Sequence, residues 1–251
     1  MDFLKPMGDE IIRLLNPQKT DVILDVASGT GEPGLTIATK LSGGKVIITD
    51  LADHMLEIAR ENATSRGIEN IETVTCDVCD LPFPDNTFDA ISCRFGFMFF
   101  PDMLLAANEM VRVLKPGGKI ATSVWNVPEK NFWVTAIMGT INKNMELPKP
   151  PLGSPGMFRC AKDGFISDIF SQAGLKNISQ KEIFGKLNCK TIDAYWGMQT
   201  EVGAPIVAAL NKASDDMKEK IKIETYAVLS QKYPDGNIII DSSALVIYGE
   251  K

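Results

Sequence analysis

Three carboxylates stand where three apolar runs end. Val22-Ile-Leu-Asp25 leads into Val-Ala-Ser28-Gly29-Thr30-Gly31-Glu32-Pro33-Gly34; Lys45-Val-Ile-Ile-Thr-Asp50 and Ile71-Glu-Thr-Val-Thr-Cys76-Asp77 follow. Short apolar, β-branched runs bounded by Gly and Asp read as strands. Strands alternating with helices build a parallel sheet, so the three carboxylates share its C-terminal rim, where open α/β sheets bind ligands. Such a rim suits a ligand with ribose hydroxyls and cationic groups, since a carboxylate accepts several hydrogen bonds and attracts positive charge.

The glycines admit two readings. Gly29-Thr30-Gly31-Glu32-Pro33-Gly34 fits G-x-G-x-x-G, and Asp50 lies about where a dinucleotide fold keeps its ribose-binding acid. In the nicotinamide fingerprint, however, the helix N-terminus takes a pyrophosphate. Here Asp25 precedes the first glycine by four positions and Glu32 sits where the pyrophosphate would approach. Carboxylates repel a diphosphate and favour an ammonium beside a sulfonium, which points to S-adenosylmethionine.

The elements that must position these residues alternate regularly in the first half. Strands are expected near 22–26, 45–50, 71–75, 88–93 and 119–124. A helix starts near Pro33, and another carries Met55, Leu56, Ile58, Ala59 and Ala63 on one face after Asp53, a plausible N-cap. A third begins after Phe100-Pro101-Asp102, buries Leu105, Val111 and Leu114, and stops at Pro116-Gly117-Gly118. Beyond Val124 the rhythm lapses. A helix around Phe132–Asn142 and the Pro/Gly-rich stretch Pro148–Gly156 precede a helix from Phe165 with Gly174 as its C′ residue. A strand near 177–187, a mostly helical segment to about 232 and a last strand near 243–249 complete the chain.

Composition bounds the chemistry. The 251 residues carry a net charge of −6, with 45% hydrophobic and 23% charged residues, ordinary for a globular fold with a sizeable core. No basic cluster appears, which argues against nucleic acid as a partner. Neither a signal peptide nor an apolar run of about 18 residues is present, so a cytoplasmic protein without a membrane span is expected. Five cysteines scatter through the pattern, and the lone Cys76-Asp-Val-Cys79 pair is read as structural thiols rather than a metal site. The only histidine, His54, follows the cap of a surface helix and reads as solvated rather than catalytic. Met98, Phe99 and Phe100 suit core packing or acceptor lining equally, and the same holds of Trp125 and Trp133.

Taken in order, Asp25-Val-Ala-Ser28-Gly29-Thr30-Gly31, Asp50-Leu51, Cys76-Asp77-Val78 and Arg112-Val-Leu-Lys-Pro-Gly-Gly118 resemble the successive motifs of class I S-adenosylmethionine-dependent methyltransferases. Leu81-Pro-Phe-Pro-Asp-Asn-Thr-Phe-Asp89 and Phe97-Met-Phe-Phe-Pro-Asp102 narrow the resemblance to the ubiquinone/menaquinone-biosynthesis branch. It covers residues 20–125 well and the rest only in general plan. It implies a doubly wound, seven-stranded, mostly parallel α/β sheet with an antiparallel last strand. It also implies a single domain over 1–251, with a core of about 20–125, 158–187 and 237–251 and helical lid insertions at about 126–157 and 188–236. Relatives carry extra residues ahead of the region matching Phe3–Leu15, so a shortened cofactor lid is expected.

The resemblance further implies the cofactor, S-adenosylmethionine, and its contacts. Ser28, Gly29, Thr30 and Gly31 would pass close to the methionine moiety, and Asp25 would orient its ammonium through water. Asp50 would take the ribose hydroxyls, Leu51 and Met55 would flank the adenine, and Asp77 with the Val78 backbone would read its edge. Arg94 and Phe95 would face the methyl-transfer region. The partner is a small, largely apolar or aromatic methyl acceptor. A nicotinamide-dependent oxidoreductase is disfavoured by Asp25, Glu32 and Asp77. A non-catalytic nucleoside-binding protein stays open, because this chemistry needs no invariant catalytic residue.

Overall fold

The computed structural model describes residues 2–148, 151 and 153–251, so part of the Pro148–Gly156 stretch lies outside the described residues. Seven strands form one sheet: β1 (Val22–Asp25), β2 (Lys45–Asp50), β3 (Ile71–Thr75), β4 (Phe88–Arg94), β5 (Leu114–Trp125), β6 (Lys176–Lys190) and β7 (Ile238–Glu250). Their order is β3-β2-β1-β4-β5-β7-β6. Neighbouring strands among β1–β5 pair in parallel, and β7 runs antiparallel to β5. The order reverses between β1 and β4, the switch point at which such sheets open a crevice.

The helices are α1 (Lys5–Leu15), α2 (Gly34–Ala38), α3 (Asp53–Ser65), α4 (Met103–Val113), α5 (Phe132–Asn144), α6 (Phe165–Gln172), α7 (Ile192–Val202), α8 (Ala204–Leu210) and α9 (Asp215–Lys232). The chain divides into two compact units. One comprises 4–126, 153–183 and 244–251 and holds strands β1–β5 entire; the other comprises 1–3, 127–152 and 184–243 and is mainly helical. In the first unit Ile23, Leu24, Val46, Ile48 and Ile91 are solvent-free, giving β1, β2 and β4 the near-continuous apolar character of strands covered on both faces. In the helical unit the Thr140 and Thr225 hydroxyls join α5 to α9 at 2.7 Å, and the buried Tyr195 hydroxyl donates to the Trp133 carbonyl at 2.8 Å.

Three expectations about elements are corrected. Helix α4 stops at Val113, and Pro116-Gly117-Gly118 lies inside β5, where the Gly117 amide donates to the Lys251 carbonyl at 2.9 Å. Its buried face is Met103, Ala106, Ala107, Met110 and Val113, whereas Leu105 is 45% exposed and Leu114 belongs to the strand. Asp102 caps the helix by accepting from the Leu105 amide. The N-cap of α3 is Ala52; Asp53 is the first helical residue and accepts from the Thr75 hydroxyl at 2.8 Å.

Candidate cofactor site

A cavity of about 460 Å³ opens at the C-terminal ends of β1 to β4. Asp50 is part of its lining. Oδ2 accepts from the Gly29 amide at 2.8 Å and Oδ1 from the Ala52 amide at 3.0 Å. A carboxylate offers about four acceptor positions, so the Asp50 carboxylate, itself part of the lining, keeps acceptor capacity beyond these two bonds. Gly29 sits at φ +55°, a left-handed backbone that glycine adopts without strain, and no atom lies within 4 Å of where a Cβ would stand, so the space beside it is open. The turn thereby holds the Asp50 carboxylate while leaving room in front of it.

On the far side Asp77 is exposed. Its Oδ1 accepts from the Cys79 amide at 2.9 Å, an Asx turn, and Oδ2 has no hydrogen-bond partner among the described residues. Val78 and Met55 also line the cavity, as does Leu51, which is 72% exposed. A large apolar side chain held in water beside a cavity offers a face for a flat ring. Phe95 lines the opposite wall at φ +63°, an unusual backbone state for a bulky residue, with its ring stacked on Trp125 at 4.3 Å and 19°.

The cavity thus gathers Gly29, Asp50, Leu51, Met55, Asp77, Val78 and Phe95 of the expected residues. Others lie elsewhere. Ser28 is buried and donates to the Thr49 carbonyl at 3.1 Å; Thr30 is exposed, its carbonyl accepting from Asn62; Gly31 is buried against Leu35 and Ala59. Asp25 is not at the surface of the cavity at all. It is fully buried, paired in register with Ile48 two positions before Asp50, and both its oxygens are engaged within the protein. Burial pushes its carboxyl up to about 7 against the opposing pull of Ser92, the Gly34 amide and Arg94.

Glu32 is likewise drawn aside, ion-paired to Arg66 at 2.5 Å, so it does not face a ligand as the argument against a pyrophosphate supposed. Arg94 is not among the lining residues. Its guanidinium lies near the α1 backbone, where a Cβ on Gly8 would stand 3.8 Å from Nη1, and burial lowers its pKa. Phe99 (54% exposed) and Phe100 line the cavity, while Met98 is core, its sulfur accepting from the Trp125 amide at 3.4 Å. Trp125 and Trp133 are buried and line none of it. His54 is exposed on α3. Cys76 also lines the cavity as a thiol that burial pushes up to about 11, hence neutral. Among the described residues no cluster of metal-ligating side chains occurs.

Sequence reasoning missed Val26, Ala27, Thr49, Gly96 and Pro101 in the lining. Gly96 carries a signal that could have found it, a glycine just past a strand end. A Cβ there would stand 2.7 Å from the Cys93 sulfur and 2.9 Å from the Ala27 Cβ, closing the cavity floor.

Comparison with known proteins agrees with this geometry. The ubiE/COQ5 methyltransferase family matches residues 5–136, just over half of the chain. The chain is 37% identical over 123 residues to a demethylmenaquinone methyltransferase of Listeria monocytogenes, covering 47% of this chain and 52% of that protein. It is 43% identical over 112 residues to the ubiquinone/menaquinone biosynthesis C-methyltransferase UbiE of Cellvibrio japonicus, covering 44% and 45%. The chain therefore spans about half the length of the curated relatives it matches. Among solved structures, the YcgJ protein of Bacillus subtilis superposes with a TM-score of 0.63 over 98% of this chain and 97% of that one, at 24% identity, which establishes the shared fold. The sheet order, the cavity at the switch point and the matched residues together place the chain in the ubiE/COQ5 methyltransferase family.

Proposed function

We propose that the protein transfers a methyl group from S-adenosylmethionine to a small, largely apolar or aromatic acceptor of the quinol or phenol class. The observation that carries this reading is the pairing, in one cavity, of Asp50 with open acceptor positions and Asp77 with a free oxygen, an apolar wall between them. Asp50 takes the ribose hydroxyls, Leu51 and Met55 flank the adenine, and Asp77 with the Val78 backbone accepts and donates at its edge. Gly29 leaves space for the methionine arm, which runs toward Phe95, with Ser28, Thr30, Gly31 and Arg94 shaping the turn and strand end around it. The cofactor supplies an already activated sulfonium methyl. The residues bind, align and exclude water. The names of the relatives, demethylmenaquinone and ubiquinone/menaquinone methyltransferases, support a quinone-precursor acceptor.

A nicotinamide-dependent reaction gains nothing here, since Asp50 and Asp77 carry negative charge into the cavity and no cation lines it. Calorimetry should give micromolar binding of S-adenosylhomocysteine and none of NAD. Turnover of quinone precursors, phenols and amines, followed as S-adenosylhomocysteine release, then separates an enzyme from a binding protein. NAD binding tighter than the sulfur nucleosides would reverse the reading.

A further inference from the structure

Beneath the glycine turn, outside the cavity lining, lies a fully buried carboxylate of the sheet unit. The Asp25 carboxylate has no exposure. Oδ1 accepts from the Ser92 hydroxyl on β4 at 2.5 Å, and Oδ2 accepts from the Gly34 amide, the first residue of α2, at 2.9 Å. The fit leaves no slack, for a Cβ on Gly34 would stand 2.7 Å from Oδ2. The turn that includes Gly29 runs from Asp25 to Gly34, so the Gly34 anchor ties its two ends together, and Arg94 and the left-handed Phe95 come two and three residues beyond Ser92. The charged groups acting on Asp25 are Arg94 from β4 and Glu32 from the turn; β2 contributes the uncharged Thr49, whose hydroxyl donates to the Asp25 carbonyl at 3.2 Å.

We infer that Asp25 is a positioning residue, which sets the glycine turn and the Arg94–Phe95 strand end from below and makes no contact with the ligand's ammonium. This rests on the S-adenosylmethionine reading above and departs from the role that resemblance alone implied. The hydrogen-bond pattern does not need the charge. A protonated Oδ1 can donate to the Ser92 hydroxyl while Oδ2 still accepts from Gly34, so either protonation state holds both anchors. Burial holding the carboxyl near 7 means that both states coexist at neutral pH. Asparagine reproduces the neutral form, its amide nitrogen donating to Ser92 and its oxygen accepting from Gly34.

Two ligands distinguish positioning from contact: S-adenosylhomocysteine, which carries the amino-acid arm, and 5′-methylthioadenosine, which lacks it. Asp25→Asn should leave both affinities within about threefold of wild type. Asp25→Ala and Gly34→Ala should weaken both ligands in parallel, because each breaks the Gly34 anchor. The ratio of the two affinities should stay flat from pH 5.5 to 7.5 in the wild type. If Asp25 met the ammonium, Asp25→Asn would cost S-adenosylhomocysteine at least about tenfold and spare 5′-methylthioadenosine, since a charge-assisted bond is lost. That result, or unchanged binding of both ligands in Asp25→Ala and Gly34→Ala, overturns the inference. In the ligand-free protein, slow exchange of the Gly34 amide in wild type and Asp25→Asn, and fast exchange in Ser92→Ala or Asp25→Ala, reads the same anchor independently; equal exchange in all four overturns it. A wild type that binds neither ligand refutes the cofactor reading and leaves the exchange result to decide the inference.

Discussion

Asp50 does two jobs with one carboxylate. It holds the Gly29 and Ala52 amides, and as a lining residue it has acceptor capacity to spare for a ligand. Asp50→Ala should therefore weaken S-adenosylhomocysteine by about 1.5–3 kcal/mol, the scale of a charge-assisted hydrogen bond, as calorimetry would read it. An unchanged affinity would move the ribose site elsewhere. Asp77 is exposed and braces only its own turn, so Asp77→Ala should weaken adenine-bearing ligands by roughly tenfold, about 1.4 kcal/mol. Its thermal midpoint should stay within a degree or two of wild type, since surface changes of this kind are nearly neutral. At this scale the expected rim position of Asp50 and Asp77 agrees with their place in the cavity lining, because a strand-terminal acid needs only the strand's end to be placed. Sequence reading misplaced Asp25 because depth depends on register between strands, and only the pairing of Asp25 with Ile48 shows that it ends below Asp50. Phe95 was found as a residue; its left-handed backbone and its stack on Trp125 have no signature in spacing.

Among elements, strands were legible and one helix face was not. The buried strands are unbroken apolar runs, so β2 and β3 fall where the sequence reading placed them, whereas α4 buries two alanines and leaves Leu104 and Leu105 in water. Hydrophobicity misleads when small residues make the contact and large ones cover the rim. Helix α1 illustrates a tie that no pattern shows. Glu10 reaches Arg13 at 2.8 Å and Lys181 of β6 at 3.1 Å, and these cations hold its carboxyl down to about 2 despite its burial. Its folded-state pKa is thus below the ordinary 4.5. The resulting stability is fully present above pH 4.5 and is lost as pH falls toward 2. Both cations are more than half exposed, so the amount is about 1 kcal/mol or less. Wild type should melt roughly 2–4 °C above Glu10→Gln at pH 6–7, with the gap closing toward pH 2 in a melting series. A gap that is constant or that widens in acid would show the tie to be inert.

Across the whole molecule, the cavity belongs to one unit, and the tryptophans are divided between the two. Every residue lining the cavity lies in the sheet unit, which contains Trp125; Trp133 and Trp196 belong to the helical one. The boundary was partly visible in sequence, since the strand–helix rhythm lapses after Val124 and the helical unit takes up 127–152 and 184–243. What sequence could not give is that two stretches separated by a helix and a strand condense into one unit, because that depends on contacts such as Thr140 with Thr225. Any ligand bound only by the folded sheet unit stabilises it by mass action, about 2.7 kcal/mol at a free concentration a hundred times Kd. For a chain of this size that is a rise of roughly 5–10 °C in the midpoint. The variant Trp133→Phe/Trp196→Phe, whose fluorescence comes from Trp125, should show that rise with S-adenosylhomocysteine and none with NAD. In Asp50→Ala the rise at the same ligand concentration should shrink to about 1 kcal/mol or less, because the cost of that substitution is subtracted from the same free energy. A rise that Asp50→Ala leaves intact would locate the nucleoside outside the cavity between Asp50 and Asp77.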